Sequence, residues 1–200
     1  MSNLFVKQIA IGPMMNFAYL VGANQSQEAI AIDVAWDAQK IIDEAKKAGR
    51  QIAAILLTHT HYDHCNAVDD FTRQQQVPIY VHKSETSGLS QNLKLKPTQE
   101  GLKLEIAGLQ IECLHSPGHT PGSQCFLIDD ALFTGDTLFV GNCGRVDLPG
   151  SSPKDMENSL LRLSKLPETV VVYPGHDYGD SRTSTIGEEK RSNYYMKHGV

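Results

Sequence analysis

The stretch Thr58-His59-Thr60-His61-Tyr62-Asp63-His64 follows directly on the apolar run Ala53–Leu57. A continuous apolar run of strand length reads as a strand buried on both faces. A rigid element therefore presents His59, His61, Asp63 and His64, four potential ligands within six residues. Imidazole nitrogen and carboxylate oxygen form the ligand set of zinc, iron and manganese. The competing reading is a polar surface loop that happens to contain histidine. Three histidines in six residues with an interleaved aspartate argue against it.

Three more polar residues stand at predicted strand ends, each preceded by glycine. His119 lies in Ser116-Pro117-Gly118-His119-Thr120-Pro121-Gly122, after the strand Leu109–Leu114. Asp136 lies in Phe133-Thr134-Gly135-Asp136-Thr137, after Ala131–Thr134. His176 lies in Tyr173-Pro174-Gly175-His176-Asp177, after Thr169–Tyr173. Glycine lets the backbone turn tightly and approach an ion. Singly, such residues are turn or surface residues more often than ligands. Together, the four loops are expected to converge on one point.

The remaining chain supplies the frame. Phe5–Ile11, Asn16–Val21 and Ala29–Asp33 read as strands separated by Gly12-Pro13 and by polar Ala23–Gln27. Asp37–Ala48 reads as a helix stopped by Gly49. Ile79–His82 is a short strand. Leu102–Ile106 and Leu109–Leu114 flank the hairpin signal Ala107-Gly108, and Ser123–Ile128 and Ala131–Thr134 flank Asp129-Asp130. Pro153–Leu166 reads as a helix with Met156, Leu160, Leu161 and Leu163 apolar, and Ile186–Lys197 as a final helix. Two strand-rich halves with helices between them imply two packed sheets covered outside by helices, an α/β (α+β) arrangement.

The chain has 200 residues, which suits one domain over 1–200 with a core that needs no staples. Apolar residues make up 40%, charged residues 20%, and the formal charge is −5. Nucleic-acid or anionic-membrane binding would call for a basic face, so neither is expected. No segment is long enough to span a bilayer, and Met1–Ile11 has no signal-peptide pattern, so a cytoplasmic location is expected. Cys65, Cys113, Cys125 and Cys143 form no Cys-x-x-Cys pair and are expected to be reduced thiols. Cys65 and Cys143 adjoin the motifs and are candidates to lie near the site. His82, His115 and His198 lack a ligand-like context, and Lys190 and Arg191 read as a solvated helix face.

These blocks, in this order within a match from about Ala10 to Arg191, resemble those of the metallo-β-lactamase superfamily. The resemblance implies a four-layer αβ/βα sandwich of two mixed sheets with the metals at one edge. By position, His59, His61 and His119 would hold one metal, and Asp63, His64 and His176 a second, with Asp136 bridging. Asp136 in place of Cys, and the presence of Asp63, look unlike the antibiotic-degrading β-lactamases. They are more similar to the glyoxalase II group (hydroxyacylglutathione hydrolases). Gly141-Asn142-Cys143-Gly144-Arg145 is similar to that group's thiol-substrate loop. With Asp147 it also resembles the persulfide dioxygenases, iron enzymes of the same fold with three ligands, here His59, His119 and Asp136. Glyoxalase II enzymes carry a glutathione-contacting helical domain after the last ligand. Val200 comes 24 residues past His176, so that domain is not expected here.

The resemblance thus implies two divalent ions, zinc first with iron or manganese as alternatives, and a small thiol-derived substrate. The expected reaction is thioester hydrolysis by a hydroxide on the metals, with Asp63 as its catalytic orienting group. A single Fe(II) serving a persulfide dioxygenase is the alternative, and a non-catalytic metal scaffold is a third. Arg145 could bind a substrate carboxylate bidentately or pair with Asp147. Tyr178 could donate a hydrogen bond to substrate or simply pack. A homodimer is compatible with the sequence but no motif calls for one.

Overall fold

The computed structural model describes residues 3–200. Its first sheet has six strands, β1 (Leu4–Ile11), β2 (Asn16–Ala23), β3 (Glu28–Ile32), β4 (Gln51–Leu56), β5 (Ile79–His82) and β6 (Leu95–Thr98), in spatial as in chain order. The pairs β1·β2 and β2·β3 are antiparallel, and β3 to β6 run parallel. The second half supplies β7 (Lys103–Ile106), β8 (Leu109–His115), β9 (Gln124–Ile128) and β10 (Ala131–Gly135). It continues with a small hairpin of β11 (Leu138–Phe139) and β12 (Asn142–Cys143), then β13 (Val171–Pro174) and β14 (Ser184–Thr185). The second sheet is ordered β14-β13-β10-β9-β8-β7, with β10·β13 its parallel pair. Both sheets are mixed, as the family resemblance implied.

Side-chain alternation along β2 shows how the layers form. Phe17, Tyr19, Val21 and Ala23 face the second sheet, where Ile111, Phe126, Ile128 and Phe133 meet them. Ala18 and Leu20 face the opposite way, toward α1 (Ala38–Lys47) and α3 (Val68–Gln74). With period two, each strand feeds two cores at once. The outer face of the second sheet carries Leu132 and Val172 against Met156, Leu160 and Leu163 of α4 (Pro153–Leu163). The result is helix, sheet, sheet, helix. β4 lies in the interior of its sheet and is apolar on both faces, Ala54 and Leu56 toward one core and Ile55 and Leu57 toward the other.

Local signals account for the boundaries. The Asp37 side chain accepts from Lys40 N at 2.9 Å at the start of α1, and Gly49 at φ +68° follows its end. Ala107 and Gly108 both have positive φ, as a two-residue hairpin between right-twisted strands requires.

Two expectations need correction. Ile186–Lys197 is two helices, α5 (Ile186–Ser192) and α6 (Tyr194–His198). The chain turns at Asn193, fully buried and extended, whose side chain caps α6 and donates to Asn142 O and Glu189 Oε2. Leu161 was counted on the apolar side of α4 but is 57% exposed. β6, β14, α3 and the short α2 (Tyr62–Cys65), which lies inside the ligand motif, carried no sequence pattern strong enough to place them.

Burial predicts the contrast between two truncations. Phe126→Ala should lower unfolding free energy by about 3–5 kcal/mol, since Phe126 is buried between the sheets. Leu161→Ala should change it by no more than about 0.5 kcal/mol. Urea denaturation of the metal-free protein measures both, and similar losses would contradict the layer assignment.

Candidate metal centre

The seven expected ligands meet at one edge of the two sheets. His59, His61, Asp63 and His64 leave the end of β4 and the start of α2. His119 follows β8, Asp136 follows β10 and His176 follows β13, so the second sheet supplies the other three. Donor atoms group as His59/His61/His119, His59/His64/Asp136 and Asp63/His64/His176, each set within 4.8 Å.

Hydrogen bonds on the far side of the rings decide which nitrogens face inward. His119 Nδ1 donates to Arg145 O at 2.8 Å, His176 Nδ1 to Met14 O at 2.8 Å, and His64 Nδ1 to Asp33 Oδ2 at 2.9 Å. The Thr58 hydroxyl donates to Asp33 Oδ2 at 2.7 Å and so can accept from His59 Nδ1 at 3.1 Å. Four Nε2 atoms are thereby left with lone pairs aimed at the centre. His64 Nε2 and His176 Nε2 are 3.2 Å apart, and His61 Nδ1 is 2.8 Å from His119 Nε2. Facing lone pairs at such distances repel unless a cation, proton or metal, lies between them. His59 Nε2 and Asp136 Oδ1 are buried without a hydrogen-bond partner. A buried unsatisfied polar atom costs about 1–3 kcal/mol, so this pair fits a metal site.

The spacings also fit. Donors about 2.1 Å from a tetrahedral ion lie about 3.4 Å from each other. His64 Nε2 is 3.1 Å from Asp136 Oδ1 and 3.6 Å from Asp63 Oδ2, and His176 Nε2 is 3.4 Å from Asp63 Oδ2. Asp136 Oδ2 is 3.4 Å from both His119 Nε2 and His176 Nε2, between the two sets. Asp136 is thus placed to bridge. The donor set suits zinc and iron equally.

Charge balance follows from this crowding. Burial opposes ionisation of Asp136, but His64, His176 and His59 hold its carboxyl well below the usual range. Asp63 is likewise held low: burial resists, while His176, His64 and Asn16 prevail. Burial and neighbouring imidazoles push His59 and His61 down. His64 is raised well above its ordinary value because Asp136 and Asp33 outweigh burial. His176 is raised to about 9 by Asp136 and Asp63 against burial.

Several supporting residues escaped the sequence reading. Asp33 ends β3 at φ +55°, an unfavourable backbone region for aspartate, and accepts from Thr58 N, Thr58 Oγ1 and His64. Its signal was a lone carboxylate closing an apolar strand. Asn16 Nδ2 donates to Asp63 Oδ2 at 2.9 Å, and Trp36 Nε1 donates to Asn16 Oδ1. Glu85 is buried and joins the two sheets' ligand loops. Its Oε2 accepts from Thr60 N and Thr60 Oγ1, and its Oε1 from Thr120 Oγ1 and Gly122 N. It stood in a polar run with no pattern to mark it.

The glycine argument holds differently at each loop. Gly135 has φ +49°, and a Cβ there would lie 2.4 Å from Thr58 Oγ1. Gly175 has no positive φ; it is glycine because a Cβ would lie 2.6 Å from Asp136 Oδ1.

A cavity of about 460 Å³ opens over the donors. Asn142, Cys143, Gly144 and Arg145 form one wall. Arg145 lines the cavity and pairs bidentately with Asp147 at 2.8 and 2.9 Å. Tyr178 stacks on His176 and donates to Met14 O at 3.1 Å, the same oxygen that holds His176. Cys65 sits behind the motif, its Sγ near Thr60 O and His61 O. His82, by contrast, is buried and stacks on His115 at 4.1 Å. Among the described residues the four cysteines are free, and no helix is long and apolar enough to cross a membrane.

Fold and site together point to a metallo-hydrolase architecture with clustered candidate metal ligands. Residues 11–176 match the metallo-beta-lactamase superfamily, and the chain belongs to it. It is 34% identical over 184 residues, 91% of this chain and 82% of the relative, to the probable polyketide biosynthesis zinc-dependent hydrolase BaeB of Bacillus velezensis. It is 33% identical to hydroxyacylglutathione hydrolase of Shewanella halifaxensis, over 82% of this chain but 62% of that one. The crystal structure of ETHE1 from Myxococcus xanthus superposes with a TM-score of 0.87 at 27% identity, covering 96% of this chain and 84% of that chain. These matches support the branch that the residues resembled.

Two outcomes follow from the geometry. Free imidazole titrates near about 6.5, whereas His176 titrates at about 9 in the metal-free fold. Its proton stabilises that fold fully below the lower value, and the contribution is lost as pH rises through the higher one. A metal must displace the proton, so zinc affinity runs oppositely and strengthens across the same window. Calorimetric titration with zinc at neutral pH in buffers of different ionisation enthalpy should show proton release; buffer-independent heats would contradict the assignment. Glu85→Gln turns an NH2 toward two of the four donors that Glu85 accepts from and should weaken zinc retention by about tenfold or more, read by competition with a chromophoric chelator.

Proposed function

We propose that this chain is a metal-dependent thioester hydrolase. The observation that carries the reading is the sharing of Asp136 between two donor sets, with Asp63, His64 and His176 completing the second. A mononuclear site needs only three protein ligands. Four more converging on the same point fit a two-ion site. When bound, such ions supply Lewis acidity and lower the pKa of a bound water toward about 7.

The chain's own groups then have distinct roles. His59, His61 and His119 would hold one ion, and Asp63, His64 and His176 the other. Asp136 fixes the distance between the two sets. Asp63 keeps one oxygen on Asn16, so its carboxylate is oriented before substrate arrives and can direct the attacking water. Water adds to the carbonyl carbon, the C–S bond breaks, and the products are a carboxylate, a thiol and a proton. No side-chain nucleophile is needed. Burial of Cys143 pushes its thiol up to about 11, so it is neutral at physiological pH and does not compete for this role. The named relatives support hydrolysis: one is called a zinc-dependent hydrolase and the other a hydroxyacylglutathione hydrolase.

One observation favours a second reading, oxidation of a persulfide at a single iron. The likeness to ETHE1 extends over nearly the whole chain, and His59, His119 and Asp136 supply two imidazoles and a carboxylate.

Protein loaded separately with zinc and with Fe(II), under air and under nitrogen, separates the two. Hydrolysis predicts thiol release from acyl thioesters, supported by zinc and indifferent to oxygen. Dioxygenation predicts sulfite and oxygen uptake from glutathione persulfide, with iron alone. Oxygen-coupled persulfide turnover together with no thioester turnover under any metal would overturn the proposal. Asp136→Ala should abolish turnover by either route, and full activity in that variant contradicts both.

A further inference from the structure

The cavity above the donors has walls of uneven chemistry. Met14, Phe139, Val146, Leu148, Tyr178 and Tyr195 line it. Phe139 meets both His176 and Tyr178 edge-on, at 5.7 and 5.5 Å between ring centroids, so the apolar wall begins at the ligands themselves. Tyr178 is held in place by its stack on His176 and its bond to Met14 O. Tyr195 stands on α6, fastened through Asn193 to the Asn142 carbonyl of the loop opposite.

Cations are scarce on these walls. Apart from the imidazoles, Arg145 is the single cationic side chain among the described lining residues. Its guanidinium is already engaged, Nε and Nη2 each on one oxygen of Asp147. That geometry uses the planar fork with which arginine grips a carboxylate. Asp147 is itself a lining residue. A substrate carboxylate is left the outer edge of the guanidinium, and there it meets a cation already neutralised by Asp147. The chain as a whole carries a formal charge of −5.

We infer that the substrate is an uncharged, apolar acyl thioester, and that the Arg145–Asp147 pair disfavours thioesters of anionic thiols such as glutathione. The inference rests on the thioester reading and narrows it. Glutathione carries two carboxylates and one ammonium, and a rim whose single cation is already balanced by Asp147 offers those carboxylates little net attraction. The apolar wall offers an acyl chain a surface leading directly to the reacting carbonyl. Because the pair is exposed, the discrimination it imposes is about fivefold and not orders of magnitude. Chain length adds to it: each methylene moved from water onto an apolar wall is worth about threefold.

The test holds the acyl group constant and changes the thiol. The zinc-loaded protein is offered hexanoyl-N-acetylcysteamine and hexanoyl-glutathione, then acetyl-, butanoyl- and hexanoyl-N-acetylcysteamine as a length series. The expected results are a kcat/KM up to about fivefold higher for the neutral thiol and a rise of about threefold per methylene in the series. Asp147→Asn releases Arg145 and should move the neutral-to-anionic ratio toward unity by raising the glutathione thioester. Equal or better turnover of hexanoyl-glutathione by the wild-type protein, or a flat length series, overturns the inference while leaving thioester hydrolysis intact. A ratio unmoved in Asp147→Asn removes the pair as its cause. No turnover of any thioester sinks this inference and the functional reading together.

Discussion

Asp136 is a carboxylate buried among imidazoles, and the placing of the other groups follows from that crowding. An ionised carboxylate at such a depth is costly unless positive charge surrounds it. His64, His119 and His176 each bring a ring nitrogen to within 3.1–3.4 Å of its oxygens. Those rings bear lone pairs on their inner faces only because their outer nitrogens donate to Asp33, Arg145 O and Met14 O. The centre is therefore defined from outside inward. A carbonyl or carboxylate behind a ring selects the tautomer, the tautomer aims the lone pair, and the aimed lone pairs require a cation.

The sequence exposes the groups that do the chemistry better than those that hold them. His59, His61, Asp63 and His64 are legible because one short segment combines rare residues with a buried strand. His119, Asp136 and His176 are legible because each ends an apolar run in the same manner. The two sheets follow from alternation, visible in β2, where successive residues enter different cores. What stayed hidden acts over long sequence distances. Glu85 touches Thr60 and Thr120, 25 and 35 residues away, and nothing local records that. Asn193 reads as an ordinary helical residue until its side chain is found bonded to Asn142 and Glu189. Periodicity reports which face of an element is apolar, and it is silent about a single polar side chain that breaks a helix for the sake of a partner elsewhere.

Floor and rim obey different constraints. The floor is made of side chains at strand ends, each with its rear hydrogen bond satisfied and its neighbours at contact distance. Gly144 shows how tight the junction is, since a Cβ there would lie 1.9 Å from Asp136 O. The rim is made of Met14, Tyr178 and the α6 segment, which are partly exposed and joined to the floor by a few bonds. Substitutions in the rim alter what is admitted. Substitutions in the floor alter whether ions are held at all.

The donors come from both sheets, four from the end of β4 and the start of α2 and three from the ends of β8, β10 and β13. Apolar contact between sheets has no preferred register along the plane of sliding, because hydrophobic attraction is non-directional. Ligand atoms around an ion do have one, to within tenths of an ångström. A bound ion would therefore act as a rivet through the two layers at one edge. It would turn a soft shear of sheet past sheet into a stiff one.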